Sequence, residues 1–311
     1  MNVGLLGLGY WGMKVRSEYE NLLRSGVIDS LHTFDLNRET SLRQASSGSI
    51  VEPSVSSLLS HVDAVHICTP NTTHFELARS AVESGVHILV EKPMALDSPS
   101  CYKLVELGSA HDVIVQVGHV FRFSSAVRVI KESVASGTLG AIRYIRFQWN
   151  QFMGYGNTRG MAAQTEIFWD LLPHPLDILN YITDEWPLLA RADAVMSETL
   201  PGVPLLCDVH VGLPSGIRVS LTVSYLHAQK SRRVEVVGTE GTLVADVVDG
   251  TIETYRNGVR NSSEVARNNT IEAELRNFCD AVRTGKSIGN SAIIGAQTVR
   301  SIELIRKEAR V

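Results

Sequence analysis

The stretch "GLLGLGYWG", Gly4 to Gly12, decides how the first half of this chain is read. Gly7, Gly9 and Gly12 fall in the spacing G-x-G-x-x-G, a weak signal by itself in a chain with 24 glycines. Context strengthens it. A short apolar run, Asn2 to Leu6, precedes the glycines, and Tyr10 to Ser25 follows with helical character, ended by Gly26. Asp35 closes the next apolar run, Ser30 to Phe34. Gly7 permits a tight turn, Gly9 lets the backbone approach a pyrophosphate, and Gly12 allows close helix-to-strand packing. The helix N-terminus then offers unpaired N–H groups and partial positive charge to the phosphates. A glycine-rich turn in a plain α/β domain is the alternative. With strand, helix and acid all in place, the stretch predicts a dinucleotide site built from Gly7, Leu8, Gly9, Tyr10 and Trp11. Asp35 would accept hydrogen bonds from the adenosine ribose. Its carboxylate repels the 2′-phosphate of NADP and so favours NAD. Arg38 could offset this by pairing with that phosphate, which keeps NADP open.

Working outward, strand-like and helix-like segments alternate up to Gly118. "VDAVHIC" (Val62 to Cys68), "VHILV" (Val86 to Val90) and "VIVQV" (Val113 to Val117) are apolar and bounded by turn signals. Thr73 to Ser84 and Ser98 to His111 carry helical spacing. Continuous apolar strands separated by helices predict a doubly wound parallel sheet covered on both faces. Past Gly118 the texture changes. Strand candidates are Ala141 to Met153, Ala190 to Met196, Asp208 to Leu213, Ile217 to Leu226, Arg232 to Val237, Thr242 to Val247 and Ile252 to Tyr255. The turns "LPSG" (Leu213 to Gly216) and "GTEG" (Gly238 to Gly241) join neighbours as hairpins, which predicts an open, mostly antiparallel sheet. Helices near Glu272 to Thr284 and Ala292 to Lys307 finish the chain. The expected division is 1–120 for the dinucleotide and 121–311 for an α+β substrate and oligomerisation domain, with a ligand cleft between them.

The chain has 311 residues, 44% hydrophobic and 20% charged, with a net charge of -4. This is an ordinary globular profile, and it lacks the clustered basic face of a nucleic-acid binder. Cys68, Cys101, Cys207 and Cys279 form no C-x-x-C pair, so buried free thiols are expected rather than disulfides or zinc knuckles. No signal peptide and no membrane-length apolar run is legible, so a cytoplasmic setting is the expectation.

Two further clusters carry chemistry. Thr69, Pro70 and Asn71 follow one apolar strand, and Glu91-Lys92-Pro93 follows the next. Charges at the C-terminal end of a buried parallel strand sit over the binding crevice, although a solvated loop reads equally from Glu-Lys alone. The third cluster is "WDLLPHPLDILNYI", Trp169 to Ile182. Asp170 and His174 share a face if helical, while Pro173 and Pro175 imply a helix start nearby, with Asp170 as a possible N-cap. Asp170, His174 and Asp177 have metal-ligand spacing, but no metal is expected without a further donor nearby.

The order GLGYWG, CTPNTTH, EKP and then D-x-x-x-H resembles the Gfo/Idh/MocA oxidoreductase family over nearly the whole chain, about Asn2 to Lys307. Within it the motifs look most like those of the sugar-nucleotide 3-dehydrogenases. The resemblance implies a Rossmann domain followed by an open-sheet domain that commonly serves oligomer contacts, hence a homo-oligomer, dimer or tetramer. By motif it implies that Lys92, Asp170 and His174 are catalytic and meet substrate. It implies that Thr69, Asn71, His74, Glu91, Lys92 and Pro93 line the cofactor. Arg122, in "VGHVFRFSSA" (Val117 to Ala126), meets either an anionic substrate group or an interdomain carboxylate. The chain departs from many members in "AAQTEIFWD", Ala162 to Asp170, where glycines are common, and this weakens any substrate assignment.

The expected reaction is reversible hydride transfer between nicotinamide and a secondary alcohol or ketone of a sugar or sugar nucleotide. His174 serves as general acid/base, Lys92 stabilises charge on the substrate oxygen, and Asp170 orients His174 or binds a neighbouring hydroxyl. The alternatives are a reductase of a keto sugar, imine or other small molecule, and a non-catalytic dinucleotide-binding regulator.

Overall fold

The computed structural model describes residues 1–37, 39, 48–151, 166–198, 202–287 and 289–309. They form two compact units, Met1–Val120 with Asn269–Val299, and Phe121–Asn268 with Arg300–Val311.

The first unit holds a parallel sheet of β1 (Asn2–Leu6), β2 (Ser30–Phe34), β3 (Ser49–Val51), β4 (Ala64–Ile67), β5 (His87–Glu91) and β6 (Val115–Gly118), in the order β3-β2-β1-β4-β5-β6. β4 and β6 are buried at every position, as strands covered on both faces must be. Helices α1 (Tyr10–Arg24), α2 (Val55–Leu59), α3 (His74–Glu83) and α4 (Ser98–Ala110) make the crossovers. Strand order reverses at β1, which pairs β2 on one side and β4 on the other. The C-terminal ends of β1 and β4 are therefore the switch point where an open α/β sheet binds ligand.

Residues 269–299 join this unit, whereas the sequence predicts them in the second half. The reason is the apolar face of α8 (Thr270–Thr284). Its Leu275, Phe278 and Cys279 share one core with Val15, Tyr19 and Leu22 of α1. Burying a Leu or Phe side chain contributes roughly 1.5–3 kcal/mol, enough to fix the helix there. The last helix, α9 (Ala292–Ala309), starts in the first unit and ends in the second.

In the second unit, β7 (Ile142–Asn150), β8 (Leu189–Met196), β9 (Pro204–Gly212), β10 (Arg218–Ser224), β11 (Ser231–Gly238), β12 (Thr242–Asp246), β13 (Thr251–Arg256) and β14 (Val259–Glu264) run in the order β14-β13-β12-β11-β7-β10-β9-β8. Among the described strands of this sheet only the β7–β10 pair is parallel, and the two predicted hairpins join β9 to β10 and β11 to β12. On β7, Ile145, Phe147 and Trp149 face the core, while Arg146 and Gln148 face out. Helices α5 (Ser125–Ala135), α6 (Ile167–Asp170) and α7 (Pro173–Thr183) supply further core residues, among them Phe168, Leu176 and Leu179.

Candidate functional site

The glycine stretch is the link between β1 and α1. Gly7 has φ +91°, and a Cβ there would lie 2.7 Å from the Cys68 carbonyl oxygen, so the β1 turn presses against the chain leaving β4. A Cβ on Gly12 would lie 2.1 Å from the Gly7 carbonyl oxygen, so α1 packs tightly on that turn. Gly9, the N-cap of α1, differs: its Cβ would meet nothing within 4 Å. The backbone there borders open space that a pyrophosphate can use, with the helix N-terminus behind it.

Asp35 follows β2. Its carboxylate accepts the Leu8 N–H at 2.7 Å and the Asn37 N–H at 2.8 Å, which fixes it beside the glycine turn. This carboxylate-and-cradle pair fits the ribose and pyrophosphate of NAD. Arg38 lies outside the described residues, as do Ala162 to Thr165 of the departing segment.

The loops after β4 and β5 complete this edge. Thr69 and Thr73 hydroxyls are 2.7 Å apart, at the short helical turn Asn71–Thr73. His74 is 1% exposed, with Nδ1 2.8 Å from the Pro93 carbonyl and Nε2 2.9 Å from the Thr69 carbonyl. It ties the two loops together from beneath. Burial lowers its pKa, and the two carbonyls oppose that shift. Glu91 accepts the Trp11 indole N–H at 2.5 Å and lies 3.3 Å from His66 Nε2. Burial by itself would raise the Glu91 pKa. The His66 and Trp11 hydrogen bonds and the neighbouring Lys92 charge outweigh burial and lower it. Gly118 on β6 makes room for this anion, since a Cβ there would sit 2.9 Å from Glu91 Oε2. Lys92, half-buried, follows directly and is joined to Pro93 by a cis peptide. Trp11, Glu91 and His74 thus brace the two loops that sequence motifs single out.

In the second unit Asp170 ends α6 and His174 is the second residue of α7. The prolines interrupt the hydrogen bonding, but Leu171 and Leu172 keep helical backbone angles. Asp170 and His174 therefore stay one turn apart. The N-cap of α7 is Leu172, not Asp170. Asp170 instead accepts the Tyr225 hydroxyl at 2.8 Å. Burial first, then the Asp170 charge, push the Tyr225 phenol far above its usual pKa, so it remains a fixed donor. The half-buried His174 ring lies edge-on to Phe121 at 5.0 Å and tilted over Trp149 at 6.0 Å. On Trp149 the Arg232 guanidinium also stacks, at 5.0 Å. Burial lowers the Arg232 pKa to about 10, with Asp170 and Tyr225 opposing, so it stays cationic at neutral pH.

Arg122 is bound inside its own unit: Nε donates to Asp177 Oδ1 at 2.6 Å and Nη2 to Asn180 Oδ1 at 2.8 Å, both carboxylate and guanidinium being buried. Asp177 is thereby turned to Arg122. Asp170, His174 and Asp177 are not among the clusters of described residues close enough to share a metal. Tyr225 and Arg232 were missed from sequence. Their signal was position, because each occupies an inward step of an otherwise apolar strand alternation, after Val223 on β10 and before Val234 on β11.

A parallel sheet with a glycine turn and a fixed carboxylate at its switch point, followed by an open-sheet unit, is the arrangement of a two-domain NAD-linked oxidoreductase. Residues 1–119 match the Gfo/Idh/MocA model described as "Oxidoreductase family, NAD-binding Rossmann fold", and residues 127–244 match the GFO/IDH/MocA C-terminal domain. The chain belongs to the Gfo/Idh/MocA oxidoreductase family, and it binds NAD through its Rossmann unit. It is 24% identical over 317 residues to a UDP-N-acetylglucosamine 3-dehydrogenase from Acidithiobacillus ferrooxidans, covering 98% of this chain and 96% of that one. The solved structure of that enzyme shares the fold with a TM-score of 0.86 at 23% identity, covering 99% and 97%. An inositol 2-dehydrogenase from Burkholderia cenocepacia is 29% identical over 245 residues, 74% of this chain and 70% of the relative. A levoglucosan dehydrogenase in complex with NADH and levoglucosan has a TM-score of 0.88 at 19% identity, covering 100% and 97%.

Proposed function

We propose that this oxidoreductase moves hydride reversibly between NAD and a secondary alcohol of a sugar, cyclic polyol or sugar nucleotide. The observation that carries the reading is the Asp170–His174 pair. Its carboxylate is held by Tyr225 and its imidazole is half-buried against Phe121 and Trp149. Relatives that span most of this chain act on substrates of this class.

When bound, NAD supplies the hydride acceptor. Gly7, Leu8, Gly9, Tyr10 and Trp11 would hold its pyrophosphate. Asp35 would hold its ribose and disfavour a 2′-phosphate. Thr69, Asn71, Glu91 and Pro93 would shape the nicotinamide end, with His74 bracing them. His174 takes the hydroxyl proton as the carbon–hydrogen bond breaks and returns it in the reverse direction. The Lys92 ammonium stabilises negative charge on the same oxygen. Asp170 orients the imidazole or binds a neighbouring hydroxyl. Arg122 supports the α7 segment through Asp177 rather than meeting substrate.

The strand β8 leaves Leu188 (just before it), Leu189, Val195 and Met196 exposed at a sheet edge, and this supports a homo-oligomer formed through the second unit. Four free cysteines suit a reducing, cytoplasmic setting. Among the described residues no helix is long and apolar enough to cross a membrane.

The test is a panel of UDP-N-acetylglucosamine, inositol and levoglucosan with NAD+, read by reduced-nicotinamide absorbance. Turnover of at least one is expected. NAD binding with no turnover of any sugar alcohol or ketone would overturn the reading in favour of a regulator.

A further inference from the structure

We propose that His32, Glu52 and His61 form a binding site for a divalent transition metal of the zinc class, in the first unit and separate from the cofactor residues. The Nδ1 atoms of His32 and His61 lie 2.7 and 3.0 Å from one oxygen, Glu52 Oε1. All three donor atoms are within 4.8 Å of one another. Zinc bonds of roughly 2.0–2.1 Å in tetrahedral geometry put ligand atoms about 3.3 Å apart. The two Nδ1 atoms therefore need to part from Glu52 Oε1 by about 0.6 and 0.3 Å to admit the ion.

Hydrogen-bond direction asks for a cation here. The Ser30 hydroxyl donates to Asn2 Oδ1 at 2.9 Å, so its own proton is committed. At 3.0 Å from His32 Nε2 it must accept, which places that ring's proton on Nε2. The Nδ1 lone pair then faces a carboxylate lone pair across 2.7 Å unless a cation lies between them. A proton on each Nδ1 satisfies both contacts as hydrogen bonds to Glu52 Oε1, so it is the convergence of donors that points to a metal. Here a second imidazole converges on the same oxygen, its ring stacked 5.9 Å from the first. Imidazole and carboxylate donors converging on one point suit zinc, and binding would release the protons held there.

The surroundings are built. Ser57 donates to Glu52 Oε2 at 2.6 Å and leaves Oε1 facing the imidazoles. With Ser30 on His32, two of the three ligands have an orienting partner, as metal ligands ordinarily do. Gly4 lies beside His32 in the sheet, and a Cβ on it would sit 2.4 Å from Leu58. That absence lets α2 pack close and brings Ser57 and His61 to the site. His32 and Glu52 side chains are 9% and 6% exposed, but His61 is 56% exposed, so an ion can enter and keep a solvent ligand.

The experiment uses the untagged, chelator-stripped chain, titrated with zinc in a calorimeter and with cobalt(II) for its visible spectrum. One ion per chain is expected, with a tetrahedral cobalt spectrum. Ser57→Ala should weaken zinc by about 10- to 100-fold, and His61→Ala by at least as much. His61 is exposed, so His61→Ala should fold, which thermal melting checks. No uptake by the parent chain, or equal affinity in folded His61→Ala, overturns the proposal and leaves a proton-bridged cluster.

Discussion

The two inner glycines of the cofactor loop can be separated by one methyl group each. In Gly12→Ala the new Cβ would start 2.1 Å from the Gly7 carbonyl oxygen and 3.0 Å from its carbon. Both are backbone atoms, so no rotamer change relieves the clash, and α1 must retreat by about 1 Å to reach ordinary contact. Overpacking costs about 1–3 kcal/mol, and a Cβ placed 2.1 Å from a backbone oxygen belongs in its upper part, about 2–3 kcal/mol, offset in part by the roughly 1 kcal/mol helix preference of Ala over Gly. A net loss of about 1–2 kcal/mol lowers Tm by roughly 2–8 °C at this unit size. In Gly9→Ala the Cβ meets no protein atom within 4 Å, and the backbone (φ -68°) suits alanine. Its stability cost is that of a poorer N-cap, about 0.5–1 kcal/mol. The methyl nevertheless occupies the approach of the pyrophosphate, so NAD affinity should fall at least about tenfold, or about 1.4 kcal/mol. Melting curves and NAD titrations of both variants decide. Wild-type NAD affinity in Gly9→Ala, or a wild-type Tm in Gly12→Ala, refutes the reasoning.

Tyr225→Phe removes the donor to Asp170 without changing shape. Turnover should drop roughly 10- to 150-fold, the scale of one hydrogen bond to a charged group at about 1.5–3 kcal/mol, with NAD affinity unchanged by calorimetry. Glu91 has a lowered folded pKa, so its stabilisation is present above the unfolded value of about 4.3 and lost as pH falls through the folded one. Tm measured from pH 7 downward should therefore fall more steeply in the parent than in Glu91→Gln. Arg122→Met removes the guanidinium paired with the buried Asp177 carboxylate and should cost about 3–5 kcal/mol in denaturant melts. Adding Asp177→Leu to it should recover much of that loss.

How much was legible in the sequence depends on what each residue's neighbours in the chain reveal. The parallel sheet was readable because β4, β5 and β6 are short apolar runs between turn signals; β4 falls inside its predicted run, and β5 and β6 each end one residue beyond theirs. β14, "VRNSSE", was missed because every position is exposed, so no alternation marks it. β3 and α2, of three and five residues, are too short for a periodic signal, and α5 went unassigned. Local order likewise hid the return of α8 to the first unit, since that depends on a core supplied by α1, far away in sequence. In the candidate site, Gly7, Gly12, Asp35 and Glu91 were visible through motif and strand position. Tyr225 was invisible because its partner Asp170 is distant in the chain. Arg122 was visible as a charge, but its commitment to Asp177 required the fold.

The claim that matters most is that one imidazole moves the substrate proton while the Rossmann unit holds the nicotinamide. It is tested by the steady-state turnover of His174→Ala with NAD+ and whichever panel sugar the parent oxidises, alongside NAD binding by the same variant. General acid–base catalysis supplies about 10²- to 10⁴-fold, so turnover should fall by that range or more while NAD binds as in the parent. Parent-like turnover in the folded variant would contradict the account.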